Sequence, residues 1–239
     1  MYYLESLVHN LSIIEHKLGY SFKDQSLLTL AFVHRSFINE NRSVLEHNER
    51  LEFLGDAILN ALISDFLYQE MPTKAEGELS LWRSRLVEAS SCVYYLQKLQ
   101  LESFLLLGKG ERLNDGRGRD SILADLFEAI IGAIYLDGGL EAACSFFWLH
   151  FTSEVKKILN TPSQNFKAQL QDFCQKNYQQ IPLYHVIRQS GPEHSKLFEI
   201  AALLEQKELG RGEGPSKKEA QQAAAASALA FLQKTTMTL

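Results

Sequence analysis

The chain has 239 residues, a formal net charge of −5, 46% hydrophobic residues and 10% aromatic residues. These proportions support folded domains and exclude a disordered chain. No apolar run approaches the roughly 20 residues that a membrane-spanning helix needs, and the first ten residues include Glu5 without the basic start of a signal peptide. Three separated cysteines without a CxxC pair argue against a disulfide framework and a thiolate zinc site. We therefore expect a soluble, cytoplasmic protein without a membrane partner.

Charge is unevenly distributed along the chain. Residues 161–239 contain 9 Lys/Arg and 7 Asp/Glu, a balance of +2, whereas the remainder contains 15 and 22, a balance of −7. A mildly basic C-terminal segment joined to an acidic body is typical of a binding module attached to a domain with acid-based chemistry.

The first part of the chain, residues 1–158, is predicted to be an all-α domain. Apolar residues recur there at spacings of three and four, and alternation with a period of two is absent. The predicted helices include Leu27–Phe32, Leu51–Leu67, Leu86–Leu99 and Ile122–Leu136. Turn signals separate them at Gly19, Met71–Pro72, Gly108–Gly118 and Gly138–Gly139.

The pattern changes after a short polar linker that contains a proline, residues 159–163. Residues 164–234 are predicted to form a small α+β domain in the order α-β-β-β-α. The predicted elements are a helix at Phe166–Lys176, strands at Leu183–Gln189, Leu197–Leu204 and near Glu208–Gly212, and an alanine-rich helix to about Lys234. Gly210, Gly212, Gly214 and Pro215 are predicted to form a loop before that helix, with Ser216 as its N-cap.

The stretch His47–Leu59 carries three acids at helical spacing. Glu49, Glu52 and Asp56 fall within an arc of about 60° at roughly 100° per residue, and most of the remaining circumference is apolar. A helix of this composition is expected to be largely buried, so its acids point into a groove or interface. Gly55 sits near this arc, where a side chain would crowd the acids.

A second apolar helix repeats the arrangement. Asp125 and Glu128 are three residues apart in Ile122–Gly139, and Gly132 lies between them in projection. If the two helices pack together, the clustered carboxylates repel one another, and a hard divalent cation removes that penalty. Mg²⁺ also supplies a bound water that can attack a phosphodiester. The alternative is that each acid pair is the solvated stripe of an amphipathic helix, and spacing alone leaves both readings open.

Three blocks of the sequence resemble the ribonuclease III family. NERLEFLGD (Asn48–Asp56) is similar to the family's signature motif, AFVHRSF (Ala31–Phe37) to its upstream HRS block, and SILADLFEAIIGAIYLDGG (Ser121–Gly139) to its second acidic block. The resemblance extends from about Ile14 to Gln233. One departure is Asn114-Asp115-Gly116, where the family commonly has a Ser-Gly-Gly-like turn, and we expect it to have little effect.

The resemblance implies a magnesium-dependent endonuclease, with Mn²⁺ as a substitute ion and no small-molecule cofactor. Its catalytic acids are Glu52, Asp56, Asp125 and Glu128. Glu52, Asp125 and Glu128 are expected to hold metal directly, Asp56 to act through water, and the loss of Glu128 to hurt catalysis most. Glu49 and Glu76 match two further acids with supporting roles. For His34 of the HRS block, which also contains Arg35, we expect a structural rather than a catalytic role.

Family members are homodimers, and Phe53 resembles an aromatic knob that inserts into the partner subunit. The alternative is an ordinary core phenylalanine.

The α-β-β-β-α segment resembles a double-stranded-RNA-binding domain. Such domains span about 16 base pairs. The resemblance implies that Gln171 and Gln175 contact one minor groove and His194 the next, while Lys217 and Lys218 contact phosphates across the major groove. Lysines at a helix start are otherwise ordinary solvated residues. Ala168 and Asp172 replace the family's usual Thr and Glu, so we expect somewhat weaker affinity from the first helix.

The leading function is cleavage of both strands of double-stranded RNA. The resemblance implies 5′-phosphate and 3′-hydroxyl ends with a short 3′ overhang, and substrates among ribosomal-RNA precursors and structured messenger RNAs. A non-catalytic RNA-binding protein on the same scaffold is the alternative, but such relatives should have lost one or more of the four acids. A di-iron carboxylate protein would need Glu-x-x-His motifs, which the sequence lacks.

Overall fold

The computed structural model describes residues 2–41, 46–113, 118–160, 166–191 and 196–236. Its backbone contacts divide the chain into two compact units, Met1–Asn160 and Thr161–Leu239. The first is helical and the second combines helices with a sheet, which confirms the predicted fold class.

The helical unit is built around two long helices that pack against each other. Its helices are α1 (Tyr2–His9), α2 (Leu11–Leu18), α3 (Gln25–Ala31), α4 (Arg35–Glu40), α5 (Glu49–Glu70), α6 (Glu76–Val87), α7 (Ala89–Leu99), α8 (Lys109–Leu113) and α9 (Arg119–Asn160). Helix α9 is interrupted at Gly139, whose φ of 78° and ψ of −175° are not helical. The Gly138–Gly139 turn signal therefore marks a true break, because glycine adopts positive φ without a Cβ clash.

Two local predictions in this unit are wrong. The apolar stretch Leu86–Leu99 is not one helix, because Glu88 has an extended backbone (φ −65°, ψ 155°) and separates α6 from α7. The Gly108–Gly118 stretch is not only a turn, because it contains the short helix α8.

A cluster of aromatic rings fills the core between α7 and α9. Tyr95 is fully buried, and its ring centroid lies 5.4 Å from Phe127, 5.5 Å from Phe147 and 4.7 Å from Phe151. The Tyr95 hydroxyl donates a hydrogen bond to the Leu86 carbonyl at 3.2 Å, so its polar end is satisfied inside the core. This packing fixes α9 against its neighbours.

The HRS block forms a corner that supports the start of α4. His34 caps α4, since its Nδ1 accepts a hydrogen bond from the Ser36 backbone amide at 3.2 Å. The Ser36 hydroxyl in turn accepts from the Gly108 amide at 2.9 Å, and the His34 amide donates to the Leu106 carbonyl at 3.1 Å. Burial lowers the pKa of His34, which keeps the ring neutral and able to accept at Nδ1.

The second unit has the predicted order of elements. It consists of α10 (Phe166–Tyr178), β1 (Leu183–Ser190), β2 (Leu197–Leu204), β3 (Lys207–Gly214) and α11 (Lys217–Thr236), and the three strands form an antiparallel sheet in the order β1-β2-β3. Ser216 caps α11 as predicted, because its hydroxyl accepts from the Glu219 amide at 3.2 Å and donates to the Glu219 carboxylate at 2.9 Å.

The third strand predicted near Glu208–Gly212 is confirmed as β3, whereas the overlapping loop predicted at Gly210–Pro215 is wrong for its three glycines, which all belong to β3. A Cβ on Gly210 would lie 2.4 Å from the Ala228 amide nitrogen, and one on Gly212 would lie 2.1 Å from that of Ala224. Gly214 meets the start of α11 in the same way. The alternate glycines therefore face the alanine-rich side of α11, where no side chain would fit between strand and helix.

Candidate active site

The acidic site is created by a close crossing of α5 and α9. A Cβ on Gly55 would lie 1.8 Å from the Glu128 carbonyl oxygen, and one on Gly132 would lie 2.3 Å from the Leu51 carbonyl oxygen. Each glycine therefore lets the backbone of the other helix approach to a distance that any side chain would prevent. As a result, the acids of α5 and α9 face one another across a narrow gap.

Three carboxylates converge at this crossing and form what we call the acidic triad, Glu52, Asp125 and Glu128. One oxygen from each lies within 4.8 Å of the others, and all three side chains are half-buried. Oxygen ligands at this spacing suit a hard divalent cation. The acidic triad can therefore bind a metal ion.

The fourth acid of the predicted site lies beside the triad. Asp56 is exposed on α5, and its Oδ1 accepts a hydrogen bond from the Asn60 side-chain amide at 2.8 Å. The same amide also donates to the Asp56 carbonyl at 2.9 Å. Asn60 therefore fixes the orientation of Asp56 within its own helix, and sequence patterning did not single it out.

Burial and mutual repulsion shift the proton affinities of the triad. Burial, together with the charges of Asp56, Asp125 and Glu52, raises the pKa of Glu128 to about 7. Burial and the charge of Asp125 raise the pKa of Glu52, and burial and the charge of Glu49 raise that of Asp125. The metal-free triad therefore holds a proton at pH values where isolated carboxyls are ionised, and a cation removes the cause of that shift.

A cysteine that the sequence did not assign to the site lies behind the triad. Cys92 on α7 is fully buried, and its Sγ lies 3.6 Å from the Val87 carbonyl and 3.9 Å from Glu128 Oε1. Burial and the neighbouring acids raise the pKa of the Cys92 thiol, which is therefore protonated and able to donate a weak hydrogen bond to Glu128. A thiol at this position closes the rear of the site without adding another charge.

An open cleft of about 740 Å³ extends from the triad past α4. Glu49 lies in this cleft, where its carboxylate is 3.2 Å from Arg35 Nη1 and 3.7 Å from His47 Nδ1. Glu76, by contrast, is exposed in the first turn of α6, where it accepts a hydrogen bond from the Ser80 hydroxyl at 2.8 Å. Among the described residues, the cleft lining includes Glu49 but not Glu76.

The other predicted site residues are distributed over both units. Gln171 and Gln175 are exposed on α10, one turn apart, and Lys217 and Lys218 are exposed at the start of α11. His194 lies outside the described residues, as does the Asn114–Gly116 turn. Phe53 is 81% exposed on α5, so the reading of it as a core residue is wrong, and the prediction that α5 is largely buried fails on this face.

Comparison with known proteins agrees with this architecture. A family model described as Ribonuclease-III-like matches residues 24–155, and one described as a double-stranded RNA binding motif matches residues 166–232. The Ribonuclease 3 of Protochlamydia amoebophila is 66% identical over 226 residues, which cover 95% of this chain and 93% of that protein. The Ribonuclease 3 of Bacillus licheniformis is 43% identical over 221 residues, covering 92% and 89%.

Solved structures that are similar to the helical unit come from the same family. The nuclease domain of ribonuclease III from Campylobacter jejuni is 37% identical, with a TM-score of 0.54, and the match covers 64% of this chain and 99% of that domain. A second structure of that domain is 39% identical, with a TM-score of 0.53, and the match covers 58% of this chain and 96% of that domain. It is described as having structural flexibility in a region involved in dimer formation.

The fold and the acidic site together define a nuclease directed at double-stranded RNA. The chain belongs to the ribonuclease III family. In the part of the chain that the structure describes, no helix combines the length and apolarity needed to cross a membrane.

Proposed function

We propose that this double-stranded-RNA endoribonuclease works with Mg²⁺ held by Glu52, Asp125 and Glu128, with Mn²⁺ as a substitute ion. The observation that carries the proposal is the convergence of three half-buried carboxylates at a glycine-mediated helix crossing. Magnesium prefers oxygen ligands and retains bound waters. When bound, the ion would supply an activated water and stabilise charge on the phosphate that is cleaved.

The chain's own residues hold and orient this centre. Glu52, on α5, faces Asp125 and Glu128 on α9, so both helices must keep their crossing for all three ligands to meet. Asp56, which Asn60 orients, would hold a water beside the ion rather than bind it directly. Cys92 adds a thiol donor to Glu128 and excludes water from its buried side.

The second unit supplies an independent clamp for duplex RNA. Gln171 and Gln175 project from one face of α10 and can donate hydrogen bonds to 2′-hydroxyls and base edges in a minor groove. Lys217 and Lys218 would contact phosphates across the adjacent major groove, and His194 would contact the next minor groove. Expected products carry 5′-phosphate and 3′-hydroxyl ends with a short 3′ overhang, and expected substrates are cytoplasmic ribosomal-RNA precursors and structured messenger RNAs.

The working form is proposed to be a homodimer. An exposed phenylalanine is costly in water, and Phe53 lies on α5 close to Leu51 and Leu54, which line an apolar pocket of about 390 Å³. Leu27 and Leu30 of α3 and Leu136 of α9 also line that pocket. A two-fold arrangement would seat each Phe53 in the pocket of the other copy, because such an interface pairs the same patch on both subunits.

The first test compares wild type with Glu128→Gln on long duplex RNA with Mg²⁺. Cleavage is followed on a gel and binding by mobility shift. We expect wild type to cut and Glu128→Gln to bind without cutting, while Glu70→Gln, an exposed residue at the end of α5, cuts like wild type. If wild type binds the duplex but leaves it intact, the chain is a non-catalytic binder and the catalytic assignment is wrong. Retention of all four acids disfavours that alternative.

A further inference from the structure

The cleft beside the acidic triad has an unequal distribution of charge. Glu52 and Asp125 of the triad line it, and Glu49 and Glu111 add two more carboxylates to its lining. Among the described residues that line the cleft, Arg35 is the one lysine or arginine. Among the charged side chains that line the described part of the cleft, an RNA backbone would therefore meet four carboxylates and one guanidinium, that of Arg35.

The backbone of Arg35 is held in place while its side chain remains accessible. His34 and Ser36, on either side, are fixed to each other and to the Leu106–Gly108 segment by the hydrogen bonds of the HRS corner. The Arg35 side chain is 68% exposed and contacts Glu49 through Nη1 alone, at 3.2 Å. A guanidinium has five N–H donors in a planar fork, so this single contact leaves Nε and Nη2 for a second anion.

We propose that Arg35 binds a backbone phosphate of the RNA next to the phosphate that is cleaved, and that it shares its guanidinium between this phosphate and Glu49. The inference rests on the proposed function, since it takes the triad as the site of cleavage. Arg35 offsets the repulsion between the phosphate and the carboxylates of the cleft, and Glu49 holds the guanidinium in the cleft before RNA arrives. A charged hydrogen bond of this kind is directional, which suits a residue that sets the path of the strand.

A competing role for Arg35 is to tune the triad itself. Its charge lowers the pKa values of Glu52 and Asp125, although burial outweighs this effect. Under that role, loss of Arg35 would change the metal requirement and kcat. Under the proposed role, loss of Arg35 would weaken RNA binding. Metal binding would stay as tight as before or become tighter, because the positive charge of Arg35 repels the metal ion.

The experiment compares Arg35→Gln and Arg35→Lys with Lys74→Gln, which removes an exposed, ion-paired lysine of the same unit outside the cleft. KM and kcat on duplex RNA are measured over a range of salt at saturating Mg²⁺, and the metal requirement is measured by titration. Direct binding is measured for Arg35→Gln in the Glu128→Gln background, and thermal melting checks folding.

For Arg35→Gln we expect KM to rise about 10-fold, because loss of one hydrogen bond to a charged group has an effect of about this size. We expect kcat to stay within about twofold of wild type. The slope of log affinity against log salt should fall by roughly 0.9, the value for one lost phosphate contact on a duplex. Arg35→Lys should recover the salt slope but only part of the KM, and Lys74→Gln should change neither.

An unchanged KM and salt slope for Arg35→Gln, in a wild-type background that cuts RNA, would overturn the phosphate role and leave the proposed function intact. A fall in kcat with a higher metal requirement would overturn it in favour of tuning. If the wild-type protein does not cut, the proposed function fails first, and this inference fails with it.

Discussion

The substitution Gly55→Ala is the most direct test of how the acidic site is assembled. The added Cβ would lie 1.8 Å from the Glu128 carbonyl oxygen, so α5 and α9 would have to separate by about 1.6 Å to restore an ordinary contact of about 3.4 Å. Overpacking of this kind costs about 1–3 kcal/mol, and the gain in helix propensity from alanine returns at most about 1 kcal/mol. We expect a net loss of about 1–2 kcal/mol in the free energy of unfolding.

The larger expected effect is on metal binding. The oxygens of Glu52 and Glu128 lie on opposite sides of the crossing, within 4.8 Å of each other. Separating the helices moves them beyond the reach of one ion, so affinity for Mn²⁺ or Mg²⁺ should fall at least about tenfold, a loss of about 1.4 kcal/mol. Chemical denaturation gives the stability, and calorimetric titration of the folded protein gives the metal affinity.

The matched control is Gly77→Ala, since a Cβ on this exposed glycine of α6 meets nothing within 4 Å. It should leave metal affinity unchanged and raise the free energy of unfolding by about 0.5–1 kcal/mol. If Gly55→Ala kept its stability within about 0.5 kcal/mol of wild type and bound metal equally well, the close crossing would not be what holds the triad together.

Three further outcomes follow from the same geometry. Because the pKa of Glu128 is raised to about 7, the folded metal-free protein holds a proton there that the unfolded chain has lost, and stability should fall as pH rises from about 4.5 to about 7. Glu128→Gln should remove about 2 kcal/mol of this fall in thermal or chemical unfolding without metal, which is the roughly 3.4 kcal/mol of the full shift reduced because solvent screens the half-buried side chain. The stability at pH 5 should be little changed, and an unaltered pH profile would contradict the shift. Gly212→Ala should destabilise the second unit by about 2 kcal/mol or more, since its Cβ would lie 2.1 Å from the Ala224 nitrogen; duplex affinity in mobility shifts should fall while metal titration stays normal. Phe53→Ser should shift sedimentation toward the monomer without lowering monomer stability, because the side chain is 81% exposed, and an unchanged dimer mass would exclude it as an anchor.

Periodicity was sufficient to predict most of the fold. Strand β2 has the predicted bounds, Leu197–Leu204, and α5 extends the predicted Leu51–Leu67 by only a few residues at each end. Both segments have strong patterns that local propensity and burial favour together. The break between helices at Glu88 could not be predicted from periodicity, because the apolar spacing continues through this residue. Glutamate is also not a residue that breaks helices.

The convergence of the acids was predictable only in part. Spacing placed Glu52 and Asp56 on one arc of α5 without choosing between them. The family resemblance assigned Glu52, Asp125 and Glu128 to the metal, and the crossing brings oxygens of these three together while Asp56 stays outside the triad. Cys92 gave no signal at all, since a lone apolar-type residue in a helix is indistinguishable from any other core position. Such neighbours depend on tertiary packing, which a single sequence does not encode in its periodicity.

Four glycines show why function was easier to predict from this sequence than local structure was. At Gly55 and Gly132 the missing side chain brings two backbones together, and at Gly210 and Gly212 it brings a strand against a helix. From sequence, Gly55 was expected to relieve crowding of the acids, and Gly132 was only placed between Asp125 and Glu128 in projection. Gly210 and Gly212 were assigned both to the third strand and to the loop after it. At these four positions, what glycine permits is close approach by a distant element rather than a turn in its own segment. The positions most sensitive to an added methyl group are therefore those where local rules predict the least consequence.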